Sequence, residues 1–223
     1  MKTSTPSSSI EDYVKVIYSF TEWQRKPITS TQLAQRLGVA NSSVSEMVRK
    51  LKDQGLVDHK PYSAVTLTSD GIRLALSMVR RHRLIETFLV QSAGMSWDEV
   101  HHEAEAMQHA VSDLLIDRID AALGHPRHDP HGDPIPPPSG EHVEDWPPAL
   151  ADEAAGGRFR VDRVSDEDSA ALRYLAGLGV RPGVVLQVLE REPFGGPLWI
   201  EIEGQRRALG TPLARLVHGV ARP

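Results

Sequence analysis

A chain of 223 residues, 40% hydrophobic and 25% charged, can hold one large domain or two to three small ones, and its lack of cysteine excludes disulfides and thiolate metal sites. No apolar run approaches the ~18–20 residues needed to cross a membrane, and the polar stretch Met1–Ser9 lacks the apolar core of a secretory signal, so the cytoplasm is the expected compartment. The net charge of −5 is divided unevenly: residues 1–75 carry ten Lys/Arg against seven Asp/Glu, a balance of +3 that leaves −8 on the rest, which fits a DNA-reading head on a cation-handling or protein-contacting body.

Ser9-Ile10-Glu11-Asp12-Tyr13 opens an amphipathic helix with Ser9 as N-cap, acids in its first turn, and Ile10, Tyr13, Val14, Ile17 and Tyr18 as its apolar stripe. Pro27-Ile28 interrupts it. Thr29 or Ser30 then caps a short helix, Thr31 to Leu37, that Gly38 ends. After Val39-Ala40, Asn41 or Ser42 caps a further helix with Val44, Met47, Val48 and Leu51 facing inward. Helix, glycine turn, helix is the helix-turn-helix pattern. Leu56-Val57 and Ala64 to Thr68, joined by His59-Lys60-Pro61-Tyr62-Ser63, add a wing.

The exposed side of this head offers Thr31, Asn41, Ser42, Ser43, Ser45, Glu46, Arg49, Lys50 and Lys60 as candidate DNA contacts. Short hydroxyls and amides at a helix start suit phosphates and base edges. Glu46 can accept from a cytosine amino group, while Arg49, Lys50, Lys52 and Lys60 suit phosphate.

A long helix follows, about Ile72 to Gln91, with Leu74, Met78, His82, Ile85, Phe88 and Leu89 on its inner side. A second, capped by Ser96, runs from Asp98 to about Leu123. Their apolar surface exceeds what one hairpin buries, which predicts a homodimer. They also carry the chemistry. Residues three and four apart share a helix face, which stacks His101, Glu105 and Gln108, with His109 one turn beyond Glu105; His82 and Glu86 repeat the spacing. Imidazole and carboxylate at helical spacing, without thiols, suit an intermediate-to-hard divalent cation.

The His- and Pro-rich stretch 124–148 invites a second metal site through its histidines, but its prolines hold the chain extended, and it reads as a loop crossing the dimer; residues 137–158 read as linker. From Phe159 a strand, a short helix around Leu172 and Leu175, strands at Val184–Glu190, Leu198–Glu203 and Gln205–Leu209, and a closing Leu213–Val217 predict a small SH3-like barrel. The predicted class is mainly α with a small all-β C-terminal domain: a winged helix-turn-helix at 1–75, a helical metal-binding and dimerisation domain at 76–143, a linker at 144–158 and the barrel at 159–223.

Ser9-Ile10-Glu11-Asp12-Tyr13, the winged helix, Arg81-His82-Arg83-Leu84-Ile85-Glu86, Glu103-Ala104-Glu105 with Gln108-His109, and Asp129-Pro130-His131-Gly132-Asp133-Pro134-Ile135-Pro136 together resemble the diphtheria toxin repressor family of metal-dependent transcriptional regulators, in its three-domain form. The resemblance covers nearly the whole chain. It implies a dimeric repressor that binds operator DNA when loaded with metal and controls metal-ion homeostasis, with no membrane partner and no organic substrate. It also implies two metal sites. The regulatory one would use Asp12, Glu105, Gln108 and His109; the second would use His82, Glu86 and His101 with an acid from the SH3-like domain, Asp166, Glu167 or Asp168.

Iron-responsive members tend to have methionine and cysteine at the positions of Asp12 and Glu105, so aspartate and glutamate imply Mn²⁺, with Fe²⁺ next and Co²⁺ or Zn²⁺ binding in vitro. Two departures stand out. Gln108 replaces the family's usual glutamate, and Lys15 stands where some manganese-responsive members place a ligating glutamate. Rival readings are a winged-helix regulator answering a small organic ligand, and a zinc metalloenzyme built on His101, Glu105 and His109. The second lacks an HExxH spacing and an evident base, and leaves the winged helix unexplained.

Overall fold

The computed structural model describes residues 7–60, 63–140 and 146–222. It divides into two compact units, Met1–His82 with Pro136–His142, and Arg83–Ile135 with Val143–Pro223. The first is built around one apolar core and the second around two, one among its helices and one in its β-domain.

In the first unit, α1 (Ser8–Gln24) buries the predicted stripe Ile10, Tyr13, Val14, Ile17 and Tyr18. Its cap is Ser7 rather than Ser9, so the helix starts a residue or two early. Thr29 caps α2 (Ser30–Leu37) in a reciprocal capping box with Gln32. Gly38 ends it at φ +66°, a left-handed turn that costs glycine nothing. The next helix, α3 (Asn41–Asp53), buries Val44, Val48 and Leu51. Neither Asn41 nor Ser42 caps it: both lie inside the helix, and Ala40 occupies the cap without a side-chain bond. The wing is shorter than expected, β1 (Val57–Asp58) pairing antiparallel with β2 (Thr66–Leu67) and Val65 bridging to Ile28. Pro61 and Tyr62 of its turn lie outside the described residues. Arg80, on the long helix α4 (Ser69–Ala93), donates to the Pro136 carbonyl at 2.8 Å, which ties the distant segment Pro136–Gly140 into this unit.

The second unit takes α4 from Arg83 onward. The predicted single helix from Asp98 to Leu123 is in fact two, α5 (Val100–Met107) and α6 (Asp113–Ala122). The break follows from Ser112, whose hydroxyl accepts from the Leu115 amide and starts a new helix. Nor does Ser96 cap α5; its hydroxyl bonds the carboxylates of Asp98 and Glu99.

Beyond, β3 (Arg158–Val164), β4 (Val185–Arg191), β5 (Leu198–Ile202), β6 (Gln205–Leu209) and β7 (Val217–Arg222) form an antiparallel sheet in the order β6-β5-β4-β3-β7. This is the SH3-like domain, with α7 (Ser169–Gly177) packed on it. Its closing strand is β7, later than expected: Pro212 starts a short helix, α8 (Thr211–Ala214), that holds Leu213 out of the sheet. The expected linker is partly structured too. Leu150, in a 3-10 turn, is fully buried in the β-domain core. Trp97, from the α4–α5 connection, joins that same core.

Candidate metal centre

Midway along α4 the helix is buried on almost every side, and Glu86 is fully enclosed there. His82 stands one turn before it on the same helix, also buried, with Nδ1 3.4 Å from Nζ of Lys15 on α1. His101 opens α5, and its Nδ1 lies 2.9 Å from the Asp166 carboxylate and 3.3 Å from that of Glu86. Burial works against a charged ring here, but Asp166 and Glu86 outweigh it and raise the His101 pKa to about 10.

A further set shares Glu86. The segment Asp129-Pro130-His131-Gly132-Asp133 folds as a tight loop in which the Asp129 carboxylate accepts from the amides of His131 (2.8 Å) and Asp133 (2.9 Å). His131 is fully buried and stacked on Trp97, whose carbonyl lies 2.6 Å from Nε2. The opposite nitrogen, Nδ1, has no hydrogen-bond partner and lies 3.9 Å from Glu86. A carbonyl that fixes a proton on one ring nitrogen leaves the other as a ligand. Burial opposes charge on this ring as well, yet Asp129 and Glu86 raise its pKa to about 9. Burial, then the neighbouring Asp133, pushes the Asp129 carboxyl well up.

Donor atoms of Glu86, Asp129 and His131 lie within 4.8 Å of one another, as do those of Glu86, His101 and Asp166. Oxygen and imidazole donors around an enclosed carboxylate fit a hard or intermediate divalent cation.

Of the acids expected from the SH3-like domain, Asp166 reaches His101. Asp168 does not take that role, because its carboxylate caps α7 by accepting from the Ala170 and Ala171 amides; Glu167 is exposed. The stretch around His131 is not simply held extended by its prolines: donor atoms of Asp129 and His131 lie within 4.8 Å of one of Glu86. The signal available was an acid and a histidine two residues apart, pinned between prolines and a glycine.

The other predicted ligands are placed within their own units. Asp12 is half-buried on α1. Glu105 is half-buried on α5, His109 is exposed in the turn after it, and Gln108 is buried and donates through Nε2 to the Glu105 carboxylate at 2.6 Å. On the head, Thr31 on α2 and Asn41, Ser42, Ser43, Ser45, Glu46, Arg49 and Lys50 on α3 are all exposed, as is Lys60. Lys52 is turned aside to the His59 carbonyl at 2.9 Å, and Ser45 bonds back to the Asn41 carbonyl.

Comparison with known proteins gives three domain matches: the iron dependent repressor N-terminal DNA binding domain at residues 6–65, the iron dependent repressor metal binding and dimerisation domain at 68–137, and an FeoA domain at 149–220. A solved manganese-dependent transcriptional repressor in complex with manganese superposes with a TM-score of 0.91 at 47% identity, over 96% of this chain and all of that one. The chain belongs to the diphtheria toxin repressor family. The diphtheria toxin repressor of Corynebacterium efficiens is 27% identical over 93% of each chain. The iron-dependent repressor IdeR of Mycobacterium tuberculosis is 34% identical over 56% of this chain and 54% of that protein. Like other members of the diphtheria toxin repressor family, the protein is a metal-dependent transcriptional repressor with a DNA-binding domain and a metal-binding and dimerisation domain.

Proposed function

We propose that the protein represses transcription as a homodimer, binding operator DNA through α3 and the wing when loaded with Mn²⁺, and so controls metal-ion homeostasis. The observation that carries the choice of a hard ion is the donor set around Glu86, carboxylates and imidazoles without a thiolate. The manganese-bound relative supports the same choice. Fe²⁺ is the alternative ion.

The regulatory set is assigned to Asp12, Glu105, Gln108 and His109 on their motif match. The second set is assigned to Glu86, His101 and Asp166 with His82, extended by Asp129 and His131. A bound divalent cation would supply charge against these carboxylates and take the place of the protons held by His101 and His131. Asp12 belongs to the helix that opens the DNA-binding head, so ligation by Asp12 favours one arrangement of the head. Activation then equals the difference in ion affinity between binding-competent and incompetent forms. Leu114 and Leu115, 68% and 49% exposed on α6, supply apolar surface for the dimer contact.

The test is a gel-shift titration of the full chain against DNA selected from a random duplex pool, with Mn²⁺, Fe²⁺, Co²⁺ and Zn²⁺ in turn. The reading requires Mn²⁺ to activate binding at the lowest free concentration and EDTA to abolish it. Binding that persists in EDTA overturns metal control, and activation by Fe²⁺ below the Mn²⁺ threshold overturns the choice of ion.

A further inference from the structure

Arg163, near the end of β3, heads the fully buried side chains by volume and is only 2% exposed. Its guanidinium Nε and Nη2 both lie 2.6 Å from one oxygen of Asp133. The other oxygen of Asp133 accepts from Arg83 Nη2 at 3.0 Å. Arg83 also donates to the Pro134 carbonyl at 2.7 Å, and its Nε stands 3.7 Å from Asp129. The indole of Trp146 covers Arg163 at 3.9 Å.

One carboxylate thus joins α4, the 129–133 loop and β3. The backbone follows: the Val164 amide donates to the His131 carbonyl at 2.9 Å. Gly132, at φ +87°, packs so tightly that a Cβ would fall 1.9 Å from the Asp162 carbonyl.

Enclosing two guanidinium groups and a carboxylate is expensive, and such a group is weak evidence of stabilisation for its own sake. Its connections point to a different purpose. Asp129 and His131 lie on the loop that Asp133 anchors, with the Asp133 amide bonded to Asp129 itself. Asp166 lies three residues beyond Arg163.

We propose that Asp133 is a positioning residue for the second metal set: by clamping Arg83 and Arg163 it holds Asp129, His131 and Asp166 around Glu86, so that loading this set and seating the β-domain on the helical part of its unit are one equilibrium. The proposal rests on the metal reading of the Glu86 set.

The experiment is Mn²⁺ titration of the full chain, followed by electron paramagnetic resonance of free Mn²⁺, with hydrogen exchange of the amides at 131–134 and 160–166 measured with and without Mn²⁺. In Asp133→Asn the second class of sites should weaken by about 10–100-fold, as outer-shell partners of ligands do, while the first class is unchanged. The same amides should exchange faster without metal and regain protection at saturating Mn²⁺. Wild-type affinity at the second class overturns the proposal, whether or not exchange changes. Should Asp133→Asn fail to fold, Arg163→Lys, which keeps the charge and loses the fork, decides by the same two readouts. Separately, Glu86→Gln that leaves both classes of site intact overturns the metal reading beneath it, since Glu86 is common to both donor groups.

Discussion

The imidazole Nδ1 of His101, at the start of α5, sits 2.9 Å from the carboxylate of Asp166, just beyond β3. A helical residue and a β-domain residue 65 positions apart thereby share a proton at a place where a cation is expected.

The first consequence is a pH dependence. His101 has a pKa near 10 in the metal-free fold, against 6.5 ordinarily. Its contribution to metal-free stability is therefore fully present below about 6.5 and is lost as pH rises through about 10. Ligation needs the neutral ring, so Mn²⁺ must expel the proton, and affinity at this set should fall about tenfold per pH unit per proton displaced as pH drops below 10. Calorimetry in buffers of different ionisation enthalpy should report proton release, and His101→Gln should abolish that part of it. A binding heat independent of the buffer would contradict the assignment.

Asp166 and Asp168 should separate cleanly. Asp168→Ala removes the α7 cap and should cost about 1 kcal/mol of stability, with Mn²⁺ binding unchanged. Asp166→Ala should weaken the second class of Mn²⁺ sites. Thermal melts and Mn²⁺ titration on both variants check the contrast, which fails if Asp168→Ala is the one that loses metal.

Gln108 is buried and bonded to Glu105 through its amide nitrogen. Gln108→Glu replaces that bond with two facing carboxylates. It should lower metal-free stability by about 1–3 kcal/mol and tighten Mn²⁺ binding at the regulatory set by about tenfold, or ~1.4 kcal/mol. Unchanged Mn²⁺ affinity would remove Gln108 from the ligand set.

The exposed pair Leu114 and Leu115 gives a prediction about assembly. Replacing both with glutamate should leave helix content intact and convert the protein to a monomer in sedimentation, with selected-DNA affinity reduced at least about tenfold because half the contacts go. A variant that remains dimeric would place the interface elsewhere.

Local chemistry settled much of this protein in advance. The spacing of Val44, Val48 and Leu51, the Thr29 capping box and the left-handed Gly38 define the helix-turn-helix within the single stretch Thr29 to Leu51, where neighbouring side chains and caps dominate. Helical periodicity likewise set His82 and Glu86 on one face of α4. The second cluster obeys different rules. Glu86 meets Asp129 and His131 because a proline-bounded loop turns inward, and it meets His101 and Asp166 where β3 docks against that loop through Arg163, Asp133 and Gly132. That approach is governed by packing and buried charge between segments far apart in the chain, which no short-range periodicity records; the capping of α7 by Asp168, leaving Asp166 to face His101, was decided in the same way.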